Sequence, residues 1–110
     1  MKRAILAAIL LTPFAARAET TFQTARYTCE RGVEVPVTYV DAEDLSLAVL
    51  NVEGEQITLE AEQSASGARY GWPSDGSHYV WWTRDTGAGL IWHEGETGEE
   101  VTLYAECVRN

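Results

Sequence analysis

The sequence predicts an all-β fold, a small antiparallel barrel of about eight strands whose terminal strands are joined by one disulfide. Three observations carry that prediction. Short β-rich runs alternate with turn signals, and no helical period lasts longer than a turn or two. Of the 110 residues, the first eighteen read as a leader. So short a remainder favours a closed barrel over a sandwich, because closure removes exposed strand edges. Two cysteines, Cys29 and Cys107, lie near the two ends of that remainder.

The leader comes first along the chain. Met1-Lys2-Arg3 is a short positive start, and Ala4 to Leu11 is an apolar run. Thr12-Pro13-Phe14 and the small-residue site Ala16-Arg17-Ala18 complete the layout of a secretory signal peptide, with cleavage expected before Glu19. The apolar run is shorter than the roughly 20 residues that a bilayer span needs. No cysteine follows the expected cut, so no lipid anchor is expected. Residues 19–110 are expected to be exported, most simply to a bacterial periplasm. In that oxidising compartment two cysteines read as one disulfide. It would close a loop of about 79 residues, worth roughly 4.5 kcal/mol as an upper figure.

The strands follow in order. Arg26 to Glu30 places Tyr27 and Cys29 on one face. Val33 to Val40 alternates Val33, Val35, Val37 and Tyr39, with Pro36 pointing to an edge or a bulge. Asp41 to Asp44 is a turn. Leu45 to Val52 puts Ala48, Leu50 and Val52 on one face and Leu45, Leu47 and Val49 on the other. Glu53-Gly54-Glu55 is a tight hairpin turn, returning through Gln56 to Ala61. Glu62 to Gly67 is polar and loop-like, and Ala68-Arg69-Tyr70 starts a strand that breaks at Gly71 to Gly76. Tyr79 to Thr83 is an aromatic strand, and Arg84 to Gly89 reads as a glycine-containing loop. Leu90 to Trp92 and Val101 to Cys107 supply the last strands, separated by the acidic turn His93 to Glu100.

Charge narrows the function. The formal net charge is −9. Without Lys2, Arg3 and Arg17, five arginines face seventeen carboxylates, a net −12 with no lysine left. That excludes a nucleic-acid binder held by a basic face, argues against anionic lipid, and suits a cationic partner. Catalytic signals are weak. Ser66 is the most loop-like serine, with His78 and His93 as possible bases, but Ser64-Ala65-Ser66-Gly67 is not a nucleophile elbow. Two histidines fifteen residues apart make no metal pattern, and no cofactor, metal or specified oligomer is expected. The consecutive Trp81 and Trp82 must face opposite sides of a strand. One fills the core, and the other, beside Tyr70 or Tyr79, could stack on a sugar ring.

The stretch Ser64-Ala65-Ser66-Gly67-Ala68-Arg69-Tyr70, followed after a turn by Tyr79-Val80-Trp81-Trp82-Thr83-Arg84, resembles the inhibitors of c-type lysozyme that bacteria keep in the periplasm or tether to the outer membrane. Those proteins share an S-x-S-G-A-[RK]-Y segment and an aromatic strand of Y-x-[FW]-W-[ST]-K type. Tyr27-Thr28-Cys29, Val35-Pro36-Val37-Thr38-Tyr39 and Cys107 are similar too, so the resemblance spans essentially all of residues 19–110.

The resemblance implies an eight-stranded barrel tied by a disulfide between its ends, and inhibition by loops that enter the lysozyme cleft. By position, Ser66 and Arg84 are the residues that approach the two catalytic carboxylates, with Gly67, Arg69 and Tyr70 flanking. Arg84 stands where the family has lysine, so a planar fork replaces a compact ammonium. The turn from Gly71 to His78 is longer than the family's and could either add contact area or obstruct the cleft. Arg69 could equally pair with a carboxylate on the barrel surface. The other readings are a periplasmic module that binds a carbohydrate or another protein, and an enzyme with Ser66 as nucleophile.

Overall fold

The computed structural model describes residues 19–110; the expected leader, residues 1–18, lies outside the described residues. Eight antiparallel strands form a closed barrel in chain order: β1 (Thr21–Thr28), β2 (Glu34–Asp41), β3 (Ser46–Val52), β4 (Glu55–Glu62), β5 (Ala68–Gly71), β6 (His78–Arg84), β7 (Gly87–His93) and β8 (Glu100–Arg109). The strand period of two decides the core. Val35, Val37 and Tyr39 of β2, Ala48, Leu50 and Val52 of β3, and Trp81 and Leu90 of β6 and β7 all turn inward. Trp81 is fully buried and is the largest side chain there.

The aromatic core keeps its polar atoms bonded. Tyr27 meets Trp81 edge to face at 5.1 Å. The Trp81 indole N–H donates to the Tyr39 hydroxyl at 2.9 Å, and that hydroxyl shares a hydrogen bond with Tyr27 at 2.8 Å. Burial pushes the Tyr39 phenol far above its ordinary range, so that hydroxyl stays protonated.

Two local expectations need correction. β1 starts at Thr21, and Cys29 and Glu30 lie beyond its end, Glu30 opening the tight 3-10 turn Glu30–Gly32. The early half of β1 is solvent-exposed, so it lacks the buried alternation that marks a strand, yet Thr21 to Thr28 pairs fully with β2. Likewise Gly87-Ala88-Gly89 is strand rather than loop. Asp85 and Thr86 alone make the turn, because Arg84 already pairs with Gly87. The Glu53-Gly54 turn is as expected, with both residues at positive φ (52° and 80°), the geometry of the tightest hairpins. Pro36 lies where β2 has not yet met β3, whose pairing begins at Val37 and Leu50.

The seam between the terminal strands is narrow. β1 and β8 pair only at Tyr27 with Arg109 and at Thr28 with Val108. The Cys29–Cys107 disulfide lies next to these pairs. Beyond it, β8 shifts register against β7, and the backbone N–H groups of Ala105 and Glu106 donate to the Glu30 carboxylate at 2.9 and 2.8 Å. One side chain thus takes the place of a missing strand neighbour.

Candidate functional site

The strand directions bring the two sequence motifs to one end of the barrel. β5 begins at Ala68 and β6 ends at Arg84, and Ala68 pairs with Thr83. The Gln63–Gly67 loop therefore lies beside the β6–β7 turn. The long Trp72–Ser77 loop leaves the opposite end of β5, so it stands away from Ser66 and Arg84 and does not obstruct them.

The Ser66 loop is tied by its backbone. Its carbonyl accepts from the Ser64 hydroxyl at 2.6 Å and from the Trp82 indole N–H at 2.9 Å. Gly67, at φ +65°, crosses the end of β6, and the Thr83 hydroxyl donates to the Ala68 carbonyl at 3.2 Å. The Ser66 hydroxyl itself forms no hydrogen bond among the described residues. An exposed hydroxyl on a fixed backbone can donate or accept.

Arg84 is exposed and forms no salt bridge among the described residues. Its guanidinium lies 4.6 Å from the Trp82 ring centre, a cation–π distance. Beside it a recess of about 340 Å³ opens between Trp82 and Arg84 on one side and Thr102 and Ala105 on the other. It exists because Gly87 and Gly89 put no side chains there.

Arg69 behaves differently. It also lies over Trp82, at 5.3 Å, but its guanidinium is paired with Glu62 and Glu100, and Glu100 also bonds His93. Burial works against the Arg69 charge, yet Glu100 and Glu62 outweigh it and raise its pKa. The same cluster holds Glu100 below the usual carboxylate range: burial opposes this, but Arg69 and His93 prevail. The network runs from β4 and β5 across to β7 and β8 over the outer face of β6. There Val80, pointing away from the core face of Trp81, is fully buried. Tyr70 faces the interior, 8% exposed, with its ring 5.6 Å from Tyr39. Arg69 is thus fixed beside the Trp82 ring, whereas Tyr70 belongs to the core.

The alternative sites do not assemble in the same way. His78 and His93 pair at the far end of β6 and β7, with rings 4.9 Å apart, so neither is placed as a base for Ser66. Trp82 is the outward tryptophan, but two guanidinium groups lie over its ring and Tyr70 is on the inner face, so no free sugar platform forms there. Trp72, 46% exposed, is a separate exposed ring at the other end of the barrel. The partners Glu62 and Glu100 were not legible beforehand. Trp82 was half legible, because it is two residues from Arg84 and so shares its face of the strand.

A family model described as membrane-bound lysozyme-inhibitor of c-type lysozyme matches residues 27–104. Two relatives carry the name membrane-bound lysozyme inhibitor of C-type lysozyme. One, from Cupriavidus necator, is 37% identical over 59 residues, covering 54% of this chain and 44% of that protein. The other, from Pseudomonas aeruginosa, is 35% identical over 81 residues, covering 73% and 50%. The chain thus spans half or less of the length of these relatives. Among solved structures, Pseudomonas aeruginosa MliC in complex with hen egg white lysozyme aligns over 99% of this chain and 100% of that one, with TM-score 0.64 and 25% identity. PliC-St, the periplasmic lysozyme inhibitor of C-type lysozyme from Salmonella typhimurium, shares the fold at TM-score 0.67 and 23% identity, over 82% and 99%. The Adhesin Complex Protein of Neisseria meningitidis shares it at 0.54 and 16%, over 80% and 99%.

Proposed function

The chain belongs to the family of membrane-bound lysozyme-inhibitors of c-type lysozyme, and from that premise we propose that it inhibits a c-type lysozyme by placing Ser66 and Arg84 in the enzyme's cleft. The observation that carries this reading is the presence, at one end of the barrel, of a Ser66 hydroxyl without a hydrogen bond and an Arg84 guanidinium without a salt bridge among the described residues, with the Ser66 backbone and the Arg84 guanidinium both held against Trp82. A lysozyme-type site sets a general acid of raised pKa beside a carboxylate that stays ionised. The Ser66 hydroxyl serves the acid in either protonation state. The Arg84 fork suits the ionised partner, in a charge-assisted bond strengthened where water is excluded. Occupying both carboxylates excludes the sugar without any reaction, so the protein acts as an inhibitor rather than as an enzyme.

Gly67 sets the loop, while Arg69 is fixed beside the Trp82 ring and Tyr70 belongs to the core. The disulfide and the expected leader support an oxidising compartment outside the cytoplasm, where the cell wall needs protection. The test is lysis of a cell-wall suspension by c-type lysozyme with increasing amounts of residues 19–110. Lysis is expected to stop at stoichiometric to micromolar inhibitor; undiminished lysis there overturns the reading. Retention of cell-wall glycan without any effect on lysozyme would instead favour a carbohydrate-binding module.

A further inference from the structure

Trp82 contacts both members of the proposed inhibitory pair. Its Nε1–H donates to the Ser66 carbonyl at 2.9 Å, and its ring carries the Arg84 guanidinium at 4.6 Å. The core does not require either contact. Trp82 faces outward, opposite the buried Trp81, with Arg69 as its cross-strand neighbour on β5 and Gly89 on β7. The ring itself is held from a third direction. Arg69 lies 5.3 Å from its centre and is fixed by Glu62 and Glu100 on two other strands.

We propose that Trp82 is a positioning residue that fixes the spacing between the Ser66 hydroxyl and the Arg84 guanidinium before the partner arrives. This rests on the inhibitory reading of that pair. A loop of five residues and an exposed arginine both lose conformational freedom on binding, and an interface that orders them in advance loses less. The tether engages the Ser66 backbone and leaves its hydroxyl free. The stack orients the guanidinium while its N–H groups stay exposed at the edge.

The two contacts are separable by substitution. Trp82→Phe keeps a ring beneath Arg84 and removes the donor to Ser66. Trp82→Leu removes both. Losing one neutral hydrogen bond corresponds to roughly fivefold weaker inhibition for Trp82→Phe. Losing the stack adds roughly two- to fivefold for Trp82→Leu. The change is expected in the dissociation rate, with thermal unfolding lowered by no more than a few degrees.

Double-mutant cycles separate positioning from a general structural effect. The Trp82→Phe loss is expected to shrink in a Ser66→Ala background and to persist in an Arg84→Ala background. The extra loss of Trp82→Leu over Trp82→Phe is expected to vanish in the Arg84→Ala background. Full additivity in all cycles overturns the proposal, as does a Trp82→Phe variant that inhibits as well as the parent. A readout without lysozyme decides the matter even if the parent fails to inhibit. Backbone amide relaxation of Ala65, Ser66 and Gly67 is expected to show a rigid loop in the parent and a more mobile one in Trp82→Phe. Identical loop order in the two proteins overturns the inference on its own.

Discussion

Gly67 lies so close to Thr83 that a β-carbon on it would stand 2.0 Å from the Thr83 carbonyl oxygen and 2.8 Å from Cγ of Arg84. The loop can cross the end of β6 only without a side chain at this position, and only at its positive φ of 65°.

Gly67→Ala therefore forces the loop away from β6. The left-handed conformation alone costs an L-residue about 1–2 kcal/mol, or roughly 5–10 °C in melting temperature for a domain of this size. The effect on inhibition is expected to be larger, roughly tenfold or more, because Ser66 leaves its place. Lysis assays and thermal unfolding on the same variant measure both. Parent-like inhibition by Gly67→Ala would show that the observed loop conformation is not the inhibitory one.

The side chains that make the proposed contact have little to do with the fold. Ser66→Ala is expected to weaken inhibition about tenfold and Arg84→Ala roughly thirtyfold or more, in line with losing a neutral and a charge-assisted hydrogen bond. Both should unfold within about 0.5 kcal/mol of the parent, since each residue is exposed and unpaired. Arg84→Lys restores the family's residue; it keeps the charge and loses the planar fork, so partial activity is expected. If both alanine variants inhibit like the parent, the contact lies elsewhere on the barrel.

The motifs made the location of this site readable, because S-x-S-G-A-[RK]-Y and the aromatic strand are local patterns. Strand alternation likewise showed that one of Trp81 and Trp82 must face out. What alternation could not show was how Arg69 is used. Its partners Glu62 and Glu100 are 7 and 31 residues away, and the second comes within reach only through the pairing of β5 to β8 in one sheet. Gly87 and Gly89 misled for the opposite reason. Glycine usually marks a turn, whereas here it leaves an open recess on a paired strand beside Arg84.

At the seam, Glu30 contributes to the response to acid. The amides of Ala105 and Glu106 hold its carboxyl below its ordinary value of 4.5. A folded-state pKa below the unfolded one gives stability that is present above about pH 4.5 and is lost as pH falls through the folded pKa. Glu100 has the same sign. The melting temperature of the parent is thus expected to hold from pH 7 to about 5 and to fall below it. Glu30→Gln should start lower and show a shallower fall. Thermal unfolding from pH 7 to 3 on both proteins checks this, and equal slopes would refute the assignment to Glu30.

The disulfide is the other half of the seam. It joins residues 78 apart in sequence, and removing such a cross-link is expected to cost about 2–4 kcal/mol. Cys29→Ser with Cys107→Ser should lower the denaturant midpoint accordingly. Because only two residue pairs otherwise join β1 to β8, hydrogen exchange is expected to speed up first in those two strands. Uniform acceleration around the barrel would mean that the seam is no weaker than the other strand pairs.

Electrostatics should govern how fast the partner arrives rather than how long it stays. Residues 19–110 carry seventeen carboxylates against five arginines, and a strongly basic lysozyme would be drawn to that field from beyond contact distance. Salt shortens the reach of the field to about 10 Å at 0.1 M and about 3 Å at 1 M. The association rate is therefore expected to fall roughly tenfold or more between low salt and 0.5 M, with much less change in dissociation. Arg84→Ala supplies the control. It removes a positive charge from an acidic protein, so long-range attraction is kept or slightly increased, while the proposed contact to the ionised carboxylate is lost. Its association rate should match or exceed the parent's with the same salt dependence, and its dissociation should be faster. Rates from surface-immobilised lysozyme over a salt series read both quantities. An Arg84→Ala variant that associates more slowly and dissociates like the parent would mean that Arg84 acts in the encounter and not in the bound cleft.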